Sequence, residues 1–200
     1  MSVVSGNSKQ NALFEKYAGR KDDATDGARI GPNGCAQLIA DLGIDVTDRR
    51  VLVLCALANA QTQCEFSYEE LVGALQEHRV ESLKDLRKFL DSYNRKMDSD
   101  DAIFQKVYKF TFGYALMLGQ KALPVDTAVP YWQILITKNY ALYPKFIEFV
   151  SEAKSRPKGI SRDVWNMLPE FLQTVKAPKD YDENSSWPST FDDFVEYAQA

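Results

Sequence analysis

Apolar residues recur at helical spacing through residues 103–118, and this stretch constrains the fold more than any other part of the sequence. The spacing of three to four residues predicts an α-helix. A helix that is apolar on two sides normally lies centrally in its domain, because both sides need partners. The two apolar faces consist of Ile103, Val107, Phe110, Tyr114 and Leu118, and of Phe104, Tyr108 and Phe112.

Further helices are predicted from their first residues. Residues 67–70 (SYEE) and 82–85 (SLKD) are both capping-box patterns. Ser161 places a hydroxyl cap before an acidic first turn. Asp45 or Thr47 is expected to cap the helix that carries Val51, Leu52, Leu54, Cys55 and Ala58. No segment alternates apolar and polar residues for long enough to demand a sheet. The sequence therefore predicts an all-α fold of about nine or ten helices.

Composition excludes several classes of protein. The chain of 200 residues has a formal net charge of −4 and no dense stripe of Lys and Arg, so nucleic-acid binding is not expected. Three cysteines, an odd number, indicate reduced thiols in an intracellular protein rather than a disulfide framework. No apolar run approaches the roughly 18 residues that a membrane span needs. The polar residues 1–10 are expected to form a flexible N-terminus.

Two loops resemble those of paired EF-hands, in which central apolar residues, here Ile30 and Phe66, bridge the loops. Calcium requires oxygen ligands at loop positions 1, 3 and 5 and a bidentate Glu at position 12. The loops offer few carboxylates, so helix pairs without metal are expected and calcium sensing remains an alternative. The positions aligned with calcium ligands are Asp23, Thr25, Gly27 and Gly34 in one loop, and Asn59, Gln61, Gln63 and Glu70 in the other.

Catalytic groups are scarce. The only histidine, His78, lies in a charged helical stretch and is expected to face solvent. Together with three cysteines it is too little for a structural zinc module. Cys64 could serve as a thioester-forming nucleophile, but the adjacent Glu65 disfavours a thiolate, and a buried packing cysteine is the favoured interpretation. No catalytic residue, metal or cofactor is predicted.

Eight ordered segments from residue 11 to the C-terminus resemble the defective-in-cullin-neddylation (PONY-domain) family. The resemblance implies a helical PONY domain over 11–200, with an EF-hand-like lobe at about 11–80 packed on a cullin-binding lobe at about 81–200. The segments are TQCEFS (62–67), KFTF (109–112), GQK (119–121), YW (131–132), DVWN (163–166), YDE (181–183), WP (187–188) and DDFVEY (192–197).

The resemblance implies a groove for the acetylated N-terminal helix of the neddylation conjugating enzyme. Most groove positions are small or apolar, which suits an amphipathic helix, although each could equally be ordinary core. The chain has Tyr114 where the family pattern has Phe, and Pro32 and Cys35 where it has aliphatic residues. The implied groove comprises Pro32, Cys35, Val51, Leu54, Cys55, Gln63, Cys64, Phe66, Tyr114 and Ile134.

The resemblance also implies a surface for the winged-helix region of a cullin, formed by Asp163, Ser186, Asp192 and Asp193. Ser186 stands where the family usually has Ala. Asp163 could alternatively serve only to stabilise a helix N-terminus, by about 0.3–1 kcal/mol. The acidic C-terminal tail favours the binding role, because it suits a basic partner surface.

The sequence thus predicts a monomeric, non-catalytic scaffold for cullin neddylation in the nucleus and cytoplasm. It would hold the conjugating enzyme, the cullin and the cullin-bound RING subunit together, and accelerate transfer by proximity. The alternative is a calcium-independent, EF-hand-like adaptor that binds a helical peptide. Many family members carry a ubiquitin-binding domain before this one, and no such domain is recognised in this sequence.

Overall fold

The computed structural model describes residues 7–21, 23, 29–152 and 157–200. The chain divides into two compact units, residues 1–114 and 115–200. The two predicted lobes divide near residue 80, whereas the compact units divide at residue 114. The described residues form ten α-helices and two sheets of only two strands each. The predicted all-α class is confirmed.

The described residues of the first unit form six helices and one short strand pair. Its core is built from side chains such as Tyr17, Leu38 and Leu71, which are completely buried. Helix packing buries the apolar stripe of each helix, which supplies most of the stability of such short elements. The elements are α1 (Ser8–Glu15), β1 (Arg29–Ile30), α2 (Pro32–Asp41), α3 (Arg49–Ala58), β2 (Phe66–Ser67), α4 (Tyr68–Glu77), α5 (Leu83–Ser99) and α6 (Asp101–Ala115).

The two loops with central apolar residues meet as the sequence suggests. β1 and β2 pair antiparallel, with Ile30 opposite Phe66, and both side chains are buried. Each loop joins two helices, α1 to α2 and α3 to α4. The EF-hand-like character of these helix pairs stays a prediction, and residues 22 and 24–28 of the first loop lie outside the described residues.

Three of the predicted helix starts have the predicted residue as N-cap, namely Ser67, Ser82 and Ser161. Ser67 and Glu70 form a reciprocal capping box at α4, and Ser161 caps the helix that follows it through the Val164 N–H at 3.2 Å. At α5, Ser82 accepts the Asp85 N–H, but its hydroxyl also donates to the Asp85 carboxylate at 2.6 Å, so the second half of the predicted box differs.

The cap predicted at Asp45 or Thr47 is wrong. Asp48 caps α3 instead, because its side chain accepts the Arg50 N–H at 2.9 Å. Asp45 accepts hydrogen bonds from the backbone and hydroxyl of Thr47 and stabilises the turn before α3. Asp48 was not predicted, and the sequence does not distinguish it from Asp45 and Thr47, because each of these side chains can make a local hydrogen bond.

The predicted helix at residues 103–118 is α6, which spans Asp101–Ala115. Val107 and Tyr108, one from each apolar face, are completely buried, as is Phe112. The helix ends before Leu118, which is fully exposed. The assignment of Leu118 to the first face is therefore wrong, because apolar periodicity does not by itself locate a helix end.

The N-terminus is ordered earlier than expected. Asn7 caps α1 through a reciprocal box with Gln10. The Gln10 side chain is buried and donates to the Val80 carbonyl at 3.1 Å. The prediction of a flexible N-terminus is wrong for residues 7–10, and residues 1–6 lie outside the described residues.

The second unit is built around aromatic side chains. Trp132 and Trp165 stack with their ring centroids 5.4 Å apart, and Phe171 and Phe191 stack at 4.3 Å; all four are completely buried. The elements are β3 (Ala122–Leu123), α7 (Val125–Leu135), α8 (Tyr143–Ser151), β4 (Ile160–Ser161), α9 (Arg162–Thr174), a 3-10 turn (Pro178–Asp180) and α10 (Ser189–Gln199).

β3 and β4 pair antiparallel, with Leu123 opposite Ile160. This pair fixes the start of α9, because Ser161 is both the last strand residue and the helix cap. The first turn of α9 then presents Asp163 to solvent. Within the described part of the chain, no helix is long and apolar enough to cross a membrane.

Candidate functional site

The first unit contains a cavity of about 180 Å³, called the apolar groove below. Eight of the ten predicted groove residues line it. They come from separate elements, so the convergence is a property of the fold and not of one helix face. The lining residues are Pro32, Cys35, Ala36, Ile39, Val46, Val51, Leu54, Cys55, Cys64, Phe66 and Tyr114.

Helical spacing explains how two of the walls form. α2 begins with Pro32 at its first position, where the missing N–H is not needed. Cys35 and Ile39 follow at intervals of three and four residues, on the same side of the helix. α3 contributes Leu54 and Cys55 among others, and both are buried. These side chains belong to the core and line the groove at the same time.

Two predicted groove residues do not line the cavity. Gln63 is exposed, and its side-chain amide donates to the Tyr114 carbonyl at 2.9 Å. Ile134 lies half-buried on α7 in the second unit. Three lining residues were not predicted. Ile39 could have been found by continuing the α2 stripe, and Ala36 adjoins Cys35, but nothing in the sequence marks Val46, an exposed residue in the loop before α3.

The oxygen of the Tyr114 hydroxyl is the polar centre of the groove. It accepts the Cys64 backbone N–H at 3.3 Å and lies 3.5 Å from the Cys55 sulfur. Burial raises the pKa of Tyr114 well above its ordinary value. Burial also raises the pKa of the Cys55 thiol to about 11. Both groups therefore remain protonated and uncharged at neutral pH, which keeps the groove neutral.

Cys64 is exposed, so the favoured prediction of a buried packing cysteine is wrong. It has a positive φ of 59° and lies in a turn just before β2. The neighbouring Glu65 carboxylate accepts the Arg29 Nε–H at 3.0 Å. Cys35 and Cys55 are buried free thiols.

His78 is not the solvent-facing residue that was expected. It is half-buried at the end of α4, and its ring stacks on Phe89 with centroids 4.6 Å apart. Its Nε2 atom is buried and has no hydrogen-bond partner among the described residues. The prediction rested on the charged neighbours of His78 in the sequence. At the C-cap of α4, however, its ring packs against Phe89 of α5.

The carboxylates proposed as possible calcium ligands have other partners. Asp23 accepts the N–H groups of Asn33 at 2.7 Å and Gly34 at 3.1 Å, at the start of α2. Glu70 accepts the N–H groups of Ser67 at 2.7 Å and Gln61 at 2.9 Å. Thr25 and Gly27 lie outside the described residues. Among the described residues, no group of three or more His, Cys, Asp or Glu side chains is placed to hold a metal ion.

The second unit carries an open cavity of about 460 Å³, lined mainly by the acidic tail. Asp192 and Asp193, at the start of α10, both line it, whereas Asp163 and Ser186 are exposed but are not among its lining residues. The lining residues are Tyr181, Glu183, Asp192, Asp193, Val195, Glu196 and Gln199. The name acidic surface is used below for Asp163, Ser186, Asp192 and Asp193.

Tyr181 orients one member of the acidic surface and was not predicted. Its hydroxyl donates to the Asp192 carboxylate. Burial and the neighbouring Asp192 charge raise the pKa of Tyr181. The Tyr181 hydroxyl therefore remains a donor at neutral pH. In the sequence Tyr181 was used only as part of the family segment YDE. Its hydrogen bond to Asp192, eleven residues further along the chain, depends on the turn before α10.

Comparison with known proteins decides the family. Residues 85–197 match the family model described as cullin binding, which is more than half of the chain. The chain is 35% identical to Defective in cullin neddylation protein 1 of Caenorhabditis elegans, over 94% of this chain and 70% of that protein. The protein of the same name from Yarrowia lipolytica is 38% identical, over 97% and 78%. The chain belongs to the cullin-binding family.

A human relative named DCN1-like protein 3 is 32% identical over 92% of this chain and 60% of that protein. The resemblance inferred from the eight ordered segments is confirmed. The match to the cullin-binding family model contains the whole acidic surface and Tyr114 but begins after α2, α3 and β2. The relatives extend over nearly the whole chain and so include the elements of the apolar groove as well.

Proposed function

We propose that this chain promotes cullin neddylation as a non-catalytic scaffold. The apolar groove takes the acetylated N-terminal helix of the neddylation conjugating enzyme, and the acidic surface binds the winged-helix region of a cullin. The cullin-bound RING subunit belongs to the same assembly, and the chain acts as a monomer. Membership of the cullin-binding family and the names of its relatives support this proposal.

The convergence of eight predicted residues on one neutral cavity carries the proposal for the groove. Among the residues that the structure describes, no carboxylate lines this cavity, and the nearby Glu65 is paired with Arg29. A free α-amino group, with an ordinary pKa near about 7.7–8.0, would enter substantially charged and without a counter-ion. An uncompensated charge in an apolar cavity is strongly unfavourable. An acetylated N-terminus is neutral and fits this chemistry.

Charge carries the proposal for the acidic surface. Residues 177–200 contain six acidic residues and one basic residue. Asp163, Asp192 and Asp193 are exposed and accessible to a partner. Complementary charge across an interface steers the encounter and fixes the register of the partner. A basic face of the cullin winged-helix region is therefore the expected partner surface.

The proposed rate enhancement comes from proximity and orientation. Holding a conjugating enzyme and a cullin together converts a bimolecular transfer into an effectively unimolecular one. In this proposal the reacting thioester belongs to the conjugating enzyme and the acceptor lysine to the cullin. This chain supplies binding energy at two places and no reacting side chain.

The deciding experiment measures binding of a cullin C-terminal fragment and the initial rate of neddylation. The wild type is compared with a double variant, Asp163→Ala with Asp192→Arg. We expect at least a tenfold loss of cullin affinity and a matching loss of rate at low cullin concentration. The control is Glu170→Ala with Glu77→Arg, which makes the same change in charge at exposed positions outside the acidic surface.

Equal binding by the wild type and the folded acidic-surface variant would contradict the cullin part of the proposal. Continued binding of an acetylated helical peptide would then favour the alternative, an EF-hand-like adaptor, for which the pairing of Ile30 with Phe66 is the supporting observation. A reducible adduct with the modifier that is lost in Cys64→Ser would instead indicate a thioester-forming ligase.

A further inference from the structure

Among the described residues that line the apolar groove, Tyr114 alone carries a hydroxyl. The other lining side chains are aliphatic, aromatic or sulfur-containing. A hydroxyl has one proton to donate and two lone pairs to accept with. One lone pair of Tyr114 is used by the Cys64 backbone N–H at 3.3 Å. The proton of the hydroxyl therefore determines what kind of ligand atom the groove prefers.

The Cys55 thiol also donates to the oxygen of this hydroxyl, at 3.5 Å. Among the described residues two donors therefore meet at the Tyr114 oxygen, and its own proton is left for an acceptor that a ligand brings. Sulfur is a weak hydrogen-bond acceptor, and a carbonyl oxygen is a much stronger one. A ligand that covered Tyr114 with apolar atoms alone would take the hydroxyl out of water without replacing its hydrogen bond. A ligand that presents an oxygen acceptor avoids this loss.

We propose that the Tyr114 hydroxyl is a specificity-determining group that donates a hydrogen bond to the carbonyl oxygen of the acyl cap on a bound N-terminus. This inference rests on the proposed function of the groove. The cavity of about 180 Å³ accommodates a chain end and one side chain rather than a turn of helix. The acyl carbonyl is the oxygen acceptor that such a chain end brings into it.

Tyr114 also shapes the wall of the groove. Its hydroxyl binds the N–H of Cys64, which has a positive φ, and its carbonyl accepts the Gln63 side chain at 2.9 Å. Two consecutive residues before β2 are thus held by one residue of α6. Burial raises the pKa of Tyr114, so the hydroxyl keeps its proton throughout the physiological pH range.

The test uses two ligands of nearly equal shape. One is a helical peptide with an N-terminal acetyl-methionine, and the other is the same peptide with a thioacetyl cap, whose sulfur is a weak acceptor. We expect the wild-type chain to bind the acetyl peptide about threefold to tenfold more tightly, the range for one hydrogen bond. In Tyr114→Phe the two peptides should bind within about twofold of each other, and the acetyl peptide should lose about threefold to tenfold.

Tyr68→Phe is the matched control, since it removes a tyrosine hydroxyl that donates to Asn11 at 2.7 Å and lies outside the groove. It should keep the wild-type preference for the acetyl peptide. Amide exchange at Cys64 provides a second readout, because that N–H should exchange faster in Tyr114→Phe and not in Tyr68→Phe.

Equal binding of both peptides by the wild type would overturn the role of Tyr114, and this result does not depend on whether the variant folds. The groove would remain a peptide-binding site. An undiminished preference in Tyr114→Phe would overturn it as well. If neither peptide binds the wild type, the proposed function of the groove fails together with this inference.

Discussion

The apolar groove and the acidic surface differ most in how much of each is buried. Leu54 and Phe66 in the groove are only 2% and 4% exposed, whereas Asp163 and Asp193 are exposed. Five lining residues of the groove are therefore core side chains that have a second role as a cavity wall, namely Cys35, Ile39, Leu54, Cys55 and Phe66. The acidic surface consists of exposed side chains that are not part of the core. A substitution in the groove should affect stability and binding together, and one in the acidic surface should affect binding alone.

The largest expected effect is that of Leu54→Ala. Truncation of a buried leucine removes apolar contacts and leaves a cavity, which lowers the free energy of unfolding by about 2–5 kcal/mol. Urea denaturation followed by circular dichroism measures this change. The same variant should bind an acetylated helical peptide less tightly, because Leu54 also lines the groove.

Asp193→Ala is the matched change in the acidic surface. An exposed substitution of this kind is expected to alter the free energy of unfolding by no more than about 0.5 kcal/mol. A similar loss in the two variants would break the proposed distinction between the two regions. A loss of under 1 kcal/mol in Leu54→Ala would mean that the groove wall is not part of the core.

A smaller effect is expected from salt, and it should separate the two binding regions without any mutation. Raising the salt concentration from about 0.05 M to about 0.5 M shortens the Debye length and screens exposed charges. We expect cullin-fragment affinity to fall about tenfold, because exposed carboxylates provide the attraction. Affinity for an uncharged acetylated peptide end should change by less than about twofold. Isothermal titration of both ligands at both concentrations tests this, and equal salt dependence would contradict it.

Most of the residues predicted for the groove line one cavity, whereas the exposure of single residues was predicted less well. The resemblance supplied the predicted groove residues, both Leu54 and Cys55 on one helix and the walls that lie far apart in the chain. Val46 was missed because it lies in a loop, where no periodicity places it. Cys64 was assigned to the core because free cysteines are usually buried, but its exposure depends on a positive φ that a non-glycine residue rarely adopts.

Helix ends and caps account for most of the other errors. Asp45 and Thr47 were the predicted caps of α3, and the folded chain has Asp48 in that position instead. Leu118 continues the apolar spacing of α6 but follows its last residue. These positions depend on competition between local hydrogen bonds, which differ by less free energy than the burial of a helix face does.

The smallest expected effect is on stability against unfolding at low pH. It compares a carboxylate that accepts several hydrogen bonds with an exposed carboxylate of the acidic surface. Asp41 in the first unit accepts hydrogen bonds from Lys16 at 2.7 Å, Tyr17 at 2.8 Å and Gln37 at 2.7 Å. These bonds, that from Lys16 first, lower the pKa of Asp41 from 3.8 to about 2. A lowered pKa in the folded state means that folding favours the ionised form. The resulting stability is present above about pH 4 and is lost as the pH falls towards 2.

Asp41→Asn should therefore reduce stability at pH 6 and make progressively less difference between pH 4 and pH 2. Urea midpoints of the wild type and the variant across that range measure the effect. Asp193→Asn is the matched exposed carboxylate and should follow the wild type throughout. A constant difference between Asp41→Asn and the wild type down to pH 2 would show that its hydrogen bonds, and not its charge, stabilise the first unit.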